Sequence, residues 1–378
     1  MPYSRTYSAS SASGGRKFTA TPMVQIVNSA TYSQAMLCPL PNGYVFGVGG
    51  HGGTAIGSLY LAKDISTDYT LDYSADFTNA ANLLTGYTAV GLSDIVALTT
   101  STAAFLFYDN AATDKLYVGY VTGIGATLAC TAIEVASGSN VLPSARKARI
   151  EKITDTSVLI SYKNAAETSI FINTVTALGT SNTVNTAQTV SSSLQNTDMC
   201  ADIVVLSSTL AAVSFNDSSN NVRICPVTGL TGTVTVGTEH TVDTSASTDT
   251  GKWPALVKLS STSAGVLYST AANRYRPVTG LDGTPSNGSI VALNGIPCAF
   301  AFAGLLSSGH ACGNTNTGNP LTCGVFDLTS SPTALSNDLE SAGDFTSYNN
   351  CQVKIRAYEG ICPMARYSAD QVVISLLS

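Results

Sequence analysis

The side chains able to gather an anion are Arg146, Arg149, Arg223, Arg274, Arg276 and Arg356, scattered along a chain of 378 residues. Acid–base chemistry would fall chiefly to Glu134, Glu151, Glu167, Glu239, Glu340 and Glu359. Glycoside hydrolysis needs two carboxyl groups held on either side of one bond, and nothing in the spacing of these residues selects such a pair. His51, His240 and His310 are too dispersed to suggest a metal centre. The cysteines Cys312, Cys323, Cys351 and Cys362 sit at spacings that match no zinc ribbon or finger. The chain has no Gly-x-Ser-x-Gly elbow and no His-Glu-x-x-His helix. The run Gly-Gly-His-Gly-Gly at 49–53 has no helix behind it to supply a dipole for phosphate, and reads as a flexible loop. No cofactor, no metal and no catalytic residue is expected.

The elements that must carry these side chains are set by a repeat. Residues 202–233 read as an apolar run, a Ser-Ser-Thr turn, a second run ending in an aromatic, a polar Asn/Asp/Ser loop, and a third run closing on Val-Thr-Gly-Leu. The same order recurs at 94–125, 149–179 and 255–283. The valine of the closing turn falls at 121, 175, 227 and 278, separations of 54, 52 and 51 residues. A period near 50 with four short strands is the signature of a β-propeller. Each such sheet is apolar on both faces and excludes water only when stacked between neighbours. Small residues in the second strands (Ala103, Ala104, Ala211, Ala212, Ala264, Gly265) suit a fold that narrows toward an axis. The runs are short, β-branched and broken by Gly, Asn or Thr-Gly turns, which argues against helices.

First strands are expected near Ala35, Asp94, Arg149, Asp202, Ala255, Cys298 and Gln352. In the first repeat the second strand follows a Pro41-Asn42 turn, and the third and fourth are placed at 58–62 and 69–73. The last repeat has room for three strands, at 352–357, 361–367 and 371–377. A strand within 17–29 can supply the missing fourth, which would close the ring and remove its exposed edges. The expected fold is therefore all-β: a β-propeller of seven four-stranded blades whose N-terminal strand completes the last blade. Six or eight blades also fit, because the repeat at 298–350 is irregular. Residues 1–16, rich in serine, are expected to form a mobile arm ahead of a single propeller domain at 17–378.

Loops between second and third strands, and those joining consecutive repeats, fall on one rim. The candidate ligand-binding residues there are Trp253, His51, Asn110, Arg146, Asn216, Asp217, Asn273 and Arg274. Short neutral donors and acceptors mixed with Tyr and Trp suit recognition of a glycan or protein surface. The ordinary reading of any one of them is a solvated turn residue chosen for backbone geometry.

The repeat resembles the sheets of sialidase-like propellers, in which an apolar strand leads through a turn to a second strand ending in an aromatic. Such families carry Asp-box turns, Ser-x-Asp-x-Gly-x-Thr-Trp. The segment Ser247-Thr248-Asp249-Thr250-Gly251-Lys252-Trp253 is one residue short of that pattern and precedes a first strand. That resemblance implies three arginines converging on a carboxylate together with a Tyr–Glu nucleophile pair, and the spacing singles out no trio. In composition the chain is similar to virion-associated propellers such as phage tail or spike adhesins. This second resemblance implies a non-enzymatic structural or receptor-binding protein of a virus particle. Its partners would be other virion or assembly proteins and a host surface glycan or protein. A sialidase-like hydrolase and a scaffold in a larger complex are the alternatives.

Charged residues make up only 11% of the chain and the net charge is −6, which argues against a nucleic-acid partner. No apolar run reaches the roughly 18 residues that span a bilayer. The N-terminal segment lacks the apolar core of a secretory signal, so folding in a cytosol, with assembly into a virion or release by lysis, is expected. Nine cysteines cannot all pair within one chain. Cys130, Cys200, Cys225 and Cys298 lie in or beside apolar runs and read as buried thiols, while Cys312 and Cys323 flank a loop that a local disulfide could close.

Overall fold

The computed structural model describes residues 24–28, 32–42, 45–51, 55–61, 82–87, 91–109, 114–138, 148–194, 201–245, 254–270, 273–292, 300–307, 310–315, 323–327, 334–336, 362–368 and 371–377. All regular structure among them is β, arranged as antiparallel sheets that follow one another along the chain. Sheet 1 runs from inner to outer strand as Tyr32–Pro39, Val45–His51, Ala55–Leu61 and Asn82–Thr85. Sheet 2 is Gly91–Ala97, Ala103–Asp109, Lys115–Thr122 and Ala129–Ser137. Sheet 3 is Ala148–Thr154, Ser157–Lys163 and Ile170–Thr176, with an outer edge split into Thr183–Val184 and Gln188–Ser191. Sheet 4 repeats that plan with Asp202–Val205, Leu210–Asn216, Val222–Thr228, Thr235–Val236 and His240–Asp243. Sheet 5 does so with Ala255–Ser260, Ser263–Ser269, Asn273–Thr279, Ser286–Asn287 and Val291–Ala292. Sheet 6 is Phe300–Ser307, His310–Thr315, Cys323–Asp327 and Ala334–Ser336.

The last sheet joins the two ends of the chain. Val24–Asn28 pairs antiparallel with Gln371–Leu377, with Val24 opposite Ile374 and Asn28 opposite Gln371, and Gln371–Leu377 pairs in turn with Cys362–Ser368. The inner strands of sheets 1 to 6 pack side by side in chain order, and Cys362–Ser368 packs against Tyr32–Pro39 of sheet 1. The strand expected within 17–29 is thus present at 24–28. The inner strand expected at 352–357 lies outside the described residues.

The core is a series of layers between sheets. One cluster lies between sheets 1 and 2, one between 2 and 3, one between 3 and 4 and one between 4 and 5. The second strands of sheets 2, 3 and 4 are buried at every position, because each face meets a different neighbour. Each Ile, Leu or Phe enclosed this way contributes about 1.5–3 kcal/mol. The second strand of sheet 5 shows the need for small residues at these positions: a Cβ added at Gly265 would meet the Tyr275 ring at 2.6 Å.

Two repeated devices fix the sheets against one another. The first is the Val-Thr-Gly-Leu turn after the third strand. Gly123, Gly229 and Gly280 adopt φ of 72°, 73° and 69°, and Ala177 takes the same role at 52°. The next residue, Ile124, Leu178, Leu230 or Leu281, is buried between sheets. Its N–H donates to the first hairpin of its own sheet in three cases: Ile124 to Ser101, Leu178 to Thr156 and Leu281 to Thr262. The second is a polar seam between inner strands. Asp94 accepts from Ile95 N at 2.9 Å and from Ile150 N of the next sheet at 3.0 Å. Asp202 repeats this with Ile203 N at 3.0 Å and Leu256 N at 2.7 Å. Ser161 and Ser214 donate to Ala201 O and Pro254 O of the following sheets. Side chains thereby satisfy backbone groups that an inner edge would otherwise bury unpaired.

Two local expectations are corrected. Residues 49–51 are strand, not flexible loop: Gly49 and Gly50 stand opposite Ala35 and Gln34 on one side and Gly57 and Ile56 on the other. The glycines hid a strand whose pairing is supplied by both neighbours. The fourth strand of sheet 1 among the described residues is Asn82–Thr85, held to Ala55–Gly57, and the segment 69–73 lies outside them. In sheet 6, Gly313–Thr315 are likewise strand; Cys312 is opposite Val325 and Cys323 opposite Asn314, so those two cysteines are not cross-strand partners.

Candidate functional site

Antiparallel pairing places the turns between second and third strands at the same end of each sheet as the connections to the next sheet. At this end of sheet 3, Asn164 Oδ1 accepts from Thr168 N at 2.9 Å and Ser169 N at 3.0 Å, closing the turn. Glu167, at φ 58°, lies 3.3 Å from the Lys163 ammonium. The corresponding turn of sheet 4 is built on Asp217, whose Oδ1 accepts from Ser219 N and Asn221 N, each at 2.9 Å. Its Oδ2 accepts from Asn221 Nδ2 at 2.8 Å and Arg223 Nε at 2.7 Å. Burial alone would raise the Asp217 pKa, but the hydrogen bonds from Asn221, Arg223 and Ser219 hold it below the usual carboxylate value.

Sheet 5 carries a second arginine at the matching position. Arg223 and Arg274 each stand three residues before the proline of Pro-Val-Thr-Gly-Leu, in Arg-Ile-Cys-Pro and Arg-Tyr-Arg-Pro. Arg274 Nη1 donates to Asp243 Oδ2 at 2.9 Å, and the Tyr268 hydroxyl donates to the same oxygen at 2.7 Å. Ser245 N donates to Oδ1 at 3.0 Å. Asp243 belongs to the outer strand of sheet 4, whereas Tyr268 and Arg274 belong to sheet 5, so the trio spans the cleft between the sheets. A register shift makes this reach feasible. Arg223 is opposite Thr241 but Val222 is opposite Asp243, leaving Val242 as an extra residue that turns Asp243 toward sheet 5. Burial opposes ionisation of Asp243, and the bonds from Tyr268 and Arg274 overcome it, so its pKa is lowered. Burial, then the bond to Asp243, pushes the Tyr268 hydroxyl well up.

Chemically, the arrangement offers pre-oriented guanidinium groups on two neighbouring sheets. The side chains of Arg223 and Arg274 are 23% and 32% exposed, while their carboxylates are at 8% and 7%. Buried carboxylates therefore aim half-exposed donors outward at little further entropic loss, a suitable geometry for carboxylate or hydroxyl acceptors.

Of the residues expected to bind ligand, Asp217 and Arg274 take part in these clusters. The expected placement of Asn216 and Asn273 in loops is corrected. They are buried strand termini, opposite Val222 and Ser269, because the ladders run one residue further into the turns than the polarity of the sequence suggests. His51 ends a strand, opposite Tyr32 and Ala55, and does not sit in a glycine loop. Trp253, Asn110 and Arg146 lie outside the described residues. Among the arginines of an acid-sugar trio, Arg149 is buried in the inner strand of sheet 3, Arg223 lies in the third strand of sheet 4, and Arg274 and Arg276 lie in the third strand of sheet 5. Asp243 and Tyr268 were not legible as site residues. Arg223 and Arg274 had a signal, their shared offset from the Pro-Val-Thr-Gly-Leu turn. Cys130 and Cys225 are free thiols whose pKa burial pushes up to about 12.

No protein-family model and no curated protein sequence matches the chain. Solved structures similar to it include the SapL1 lectin in complex with alpha methyl fucoside, at 11% identity, TM-score 0.46, covering 83% of this chain and 100% of that one. The N-terminal domain of Nup159 is similar at 9% identity and TM-score 0.47, covering 95% of each chain. The β-propeller domain of the Trilobed protease from Pyrococcus furiosus is similar at 9% identity and TM-score 0.41, covering 74% of this chain and 79% of its own.

Proposed function

We propose that residues 17–378 form one seven-bladed β-propeller that binds a glycan or protein surface through the end carrying the second-to-third-strand turns, without catalysing a reaction. The observation that carries this reading is a carboxylate-held arginine at the matching position of two adjacent sheets: Arg223, held by Asp217 in a turn of its own sheet, and Arg274, held by Asp243 of the preceding sheet. Repetition of a recognition unit from sheet to sheet suits multivalent attachment, in which individually weak contacts add to high avidity. The low charge and the serine-rich arm at 1–16 favour a structural or receptor-binding protein of a virus particle, docked by the arm or by the opposite end. Its partners are then other particle proteins on one side and a host surface glycan or protein on the other.

The test is to probe glycan arrays and intact host cells with the purified chain, and to search purified particles for it by mass spectrometry. Binding that weakens in an Arg223→Gln, Arg274→Gln double variant supports the recognition role. A chain that binds neither arrays nor cells and is absent from particles overturns the proposal.

A further inference from the structure

The cleft between sheets 4 and 5 contains more than the Asp243 trio. Arg276 shares a strand face with Arg274, two residues along. Its Nε donates to Gly288 O at 2.9 Å and its Nη1 to Val242 O of sheet 4. Asn287 Nδ2 donates to Thr241 O at 2.8 Å, which fixes the amide and turns its Oδ1 the other way. That Oδ1 is buried and has no hydrogen-bond partner, and the same holds for His240 Nε2. His240 is opposite Ile224, which packs toward sheet 5. Asn287 is opposite Val278, which packs toward sheet 4. Two polar atoms left unsatisfied in one cleft are costly unless something bonds them. Alongside, among the described residues, two guanidiniums face a single carboxylate, which leaves an excess positive charge there. Among the described residues, no hydrogen bond uses the Nη2 of either arginine.

We propose that this cleft binds an acidic saccharide. The sugar carboxylate meets Arg274 and Arg276, and its hydroxyls meet Asn287 Oδ1 and His240 Nε2. Only a ligand bearing both an anion and hydroxyl groups uses both halves of the cleft: a simple anion leaves Asn287 Oδ1 unpaired, and a neutral sugar leaves the guanidinium excess unmet. The cleft between sheets 3 and 4 differs, since there one arginine faces one carboxylate in Arg223 and Asp217. The inference rests on the glycan-recognition reading proposed above and narrows it to one cleft and one ligand class.

Isothermal titration of the full chain with D-glucuronate, D-glucuronamide, D-glucose and acetate tests it. Glucuronate is expected to bind about ten-fold or more tightly than the isosteric uncharged glucuronamide, than glucose and than acetate. Equal affinity for glucuronate and glucuronamide removes the anion half, and equal affinity for acetate removes the saccharide half; either overturns the proposal. Arg274→Gln, which gives up one hydrogen bond to the protein, is expected to lower glucuronate affinity about ten-fold while its circular dichroism melt stays cooperative. Unchanged glucuronate affinity in that folded variant also overturns it. If glucuronate does not bind but arrays and cells do, this cleft assignment fails while the broader recognition role stands; if nothing binds, both fail.

Discussion

The Tyr268 hydroxyl donates to Asp243 Oδ2 at 2.7 Å across the boundary between two sheets. The preceding boundary shows why the pair belongs together. There the residue matching Tyr268 is Phe215, which has no hydroxyl, and the residue matching Asp243 is Ser191, which has no charge. At that boundary neither the hydroxyl nor the carboxylate is present. The pair both fastens sheet 4 to sheet 5 and holds the carboxylate that orients Arg274.

Tyr268→Phe is expected to lower stability by about 1–1.5 kcal/mol in urea denaturation, since Arg274 and Ser245 still satisfy Asp243. The pH dependence has a defined sign. Asp243 has a folded pKa below its ordinary 3.8, so its contribution is present above that value and is lost as pH falls through the folded pKa. The stability gap between the wild type and Asp243→Asn should be full at pH 6 and shrink steadily below about pH 4. A gap that widens on acidification would refute this account of the trio.

The inner seam predicts a larger loss. Asp202→Ala strips acceptors from Ile203 N and Leu256 N, both buried between sheets. A cost of about 2–4 kcal/mol is expected, since two donors lose their acceptors. Asp202→Asn keeps one oxygen acceptor and should cost distinctly less. Urea midpoints of the two variants measure the difference, and equal losses would mean that charge, not donor satisfaction, is what Asp202 supplies.

The closing turns predict opposite signs for opposite exchanges. Gly229 has φ 73°, and a Cβ there would meet Thr233 O at 2.8 Å. Gly229→Ala should therefore destabilise by more than about 1 kcal/mol. Ala177 already occupies the equivalent turn at φ 52°, so Ala177→Gly relieves an unfavourable conformation and should be neutral or stabilising by up to about 1 kcal/mol. Thermal melts of the two variants should shift in different directions; a downward shift in both would show that turn conformation is not the controlling factor.

These turns also mark how far the sequence could be read. Val-Thr-Gly-Leu was visible as a period because two constraints act on the same four residues: a positive φ and a leucine buried between sheets. Strand order and the joining of residues 24–28 to 371–377 followed from the same period. The site was less legible. Asp217 and Arg274 stood out because a turn needs an Asp and the polar face shows an Arg, but Asp243 sits in an otherwise ordinary strand, Thr-Val-Asp. Its role depends on an extra residue, Val242, that rotates it toward the next sheet, and a bulge in a two-stranded register leaves no pattern in one strand read alone. Asn216 and Asn273 misled for the converse reason. Asparagine favours turns, yet here it ends a strand and is buried.

The joining of the chain ends makes the last prediction. Val24–Asn28 covers the edge of Gln371–Leu377 along four matched positions, from Val24 opposite Ile374 to Asn28 opposite Gln371. Without it, the backbone donors and acceptors of Gln371–Leu377, a segment of sequence Gln-Val-Val-Ile-Ser-Leu-Leu, form an open apolar edge of the kind that templates pairing between molecules. Deleting residues 1–28 should lower the melting temperature by about 5 °C or more and produce concentration-dependent aggregation. Replacing Val373 with lysine in the truncated chain places a charge on that edge and should reduce the aggregation without restoring the melting temperature. A truncated chain that stays monodisperse and melts like the full one would show that the strand contributes neither closure nor protection.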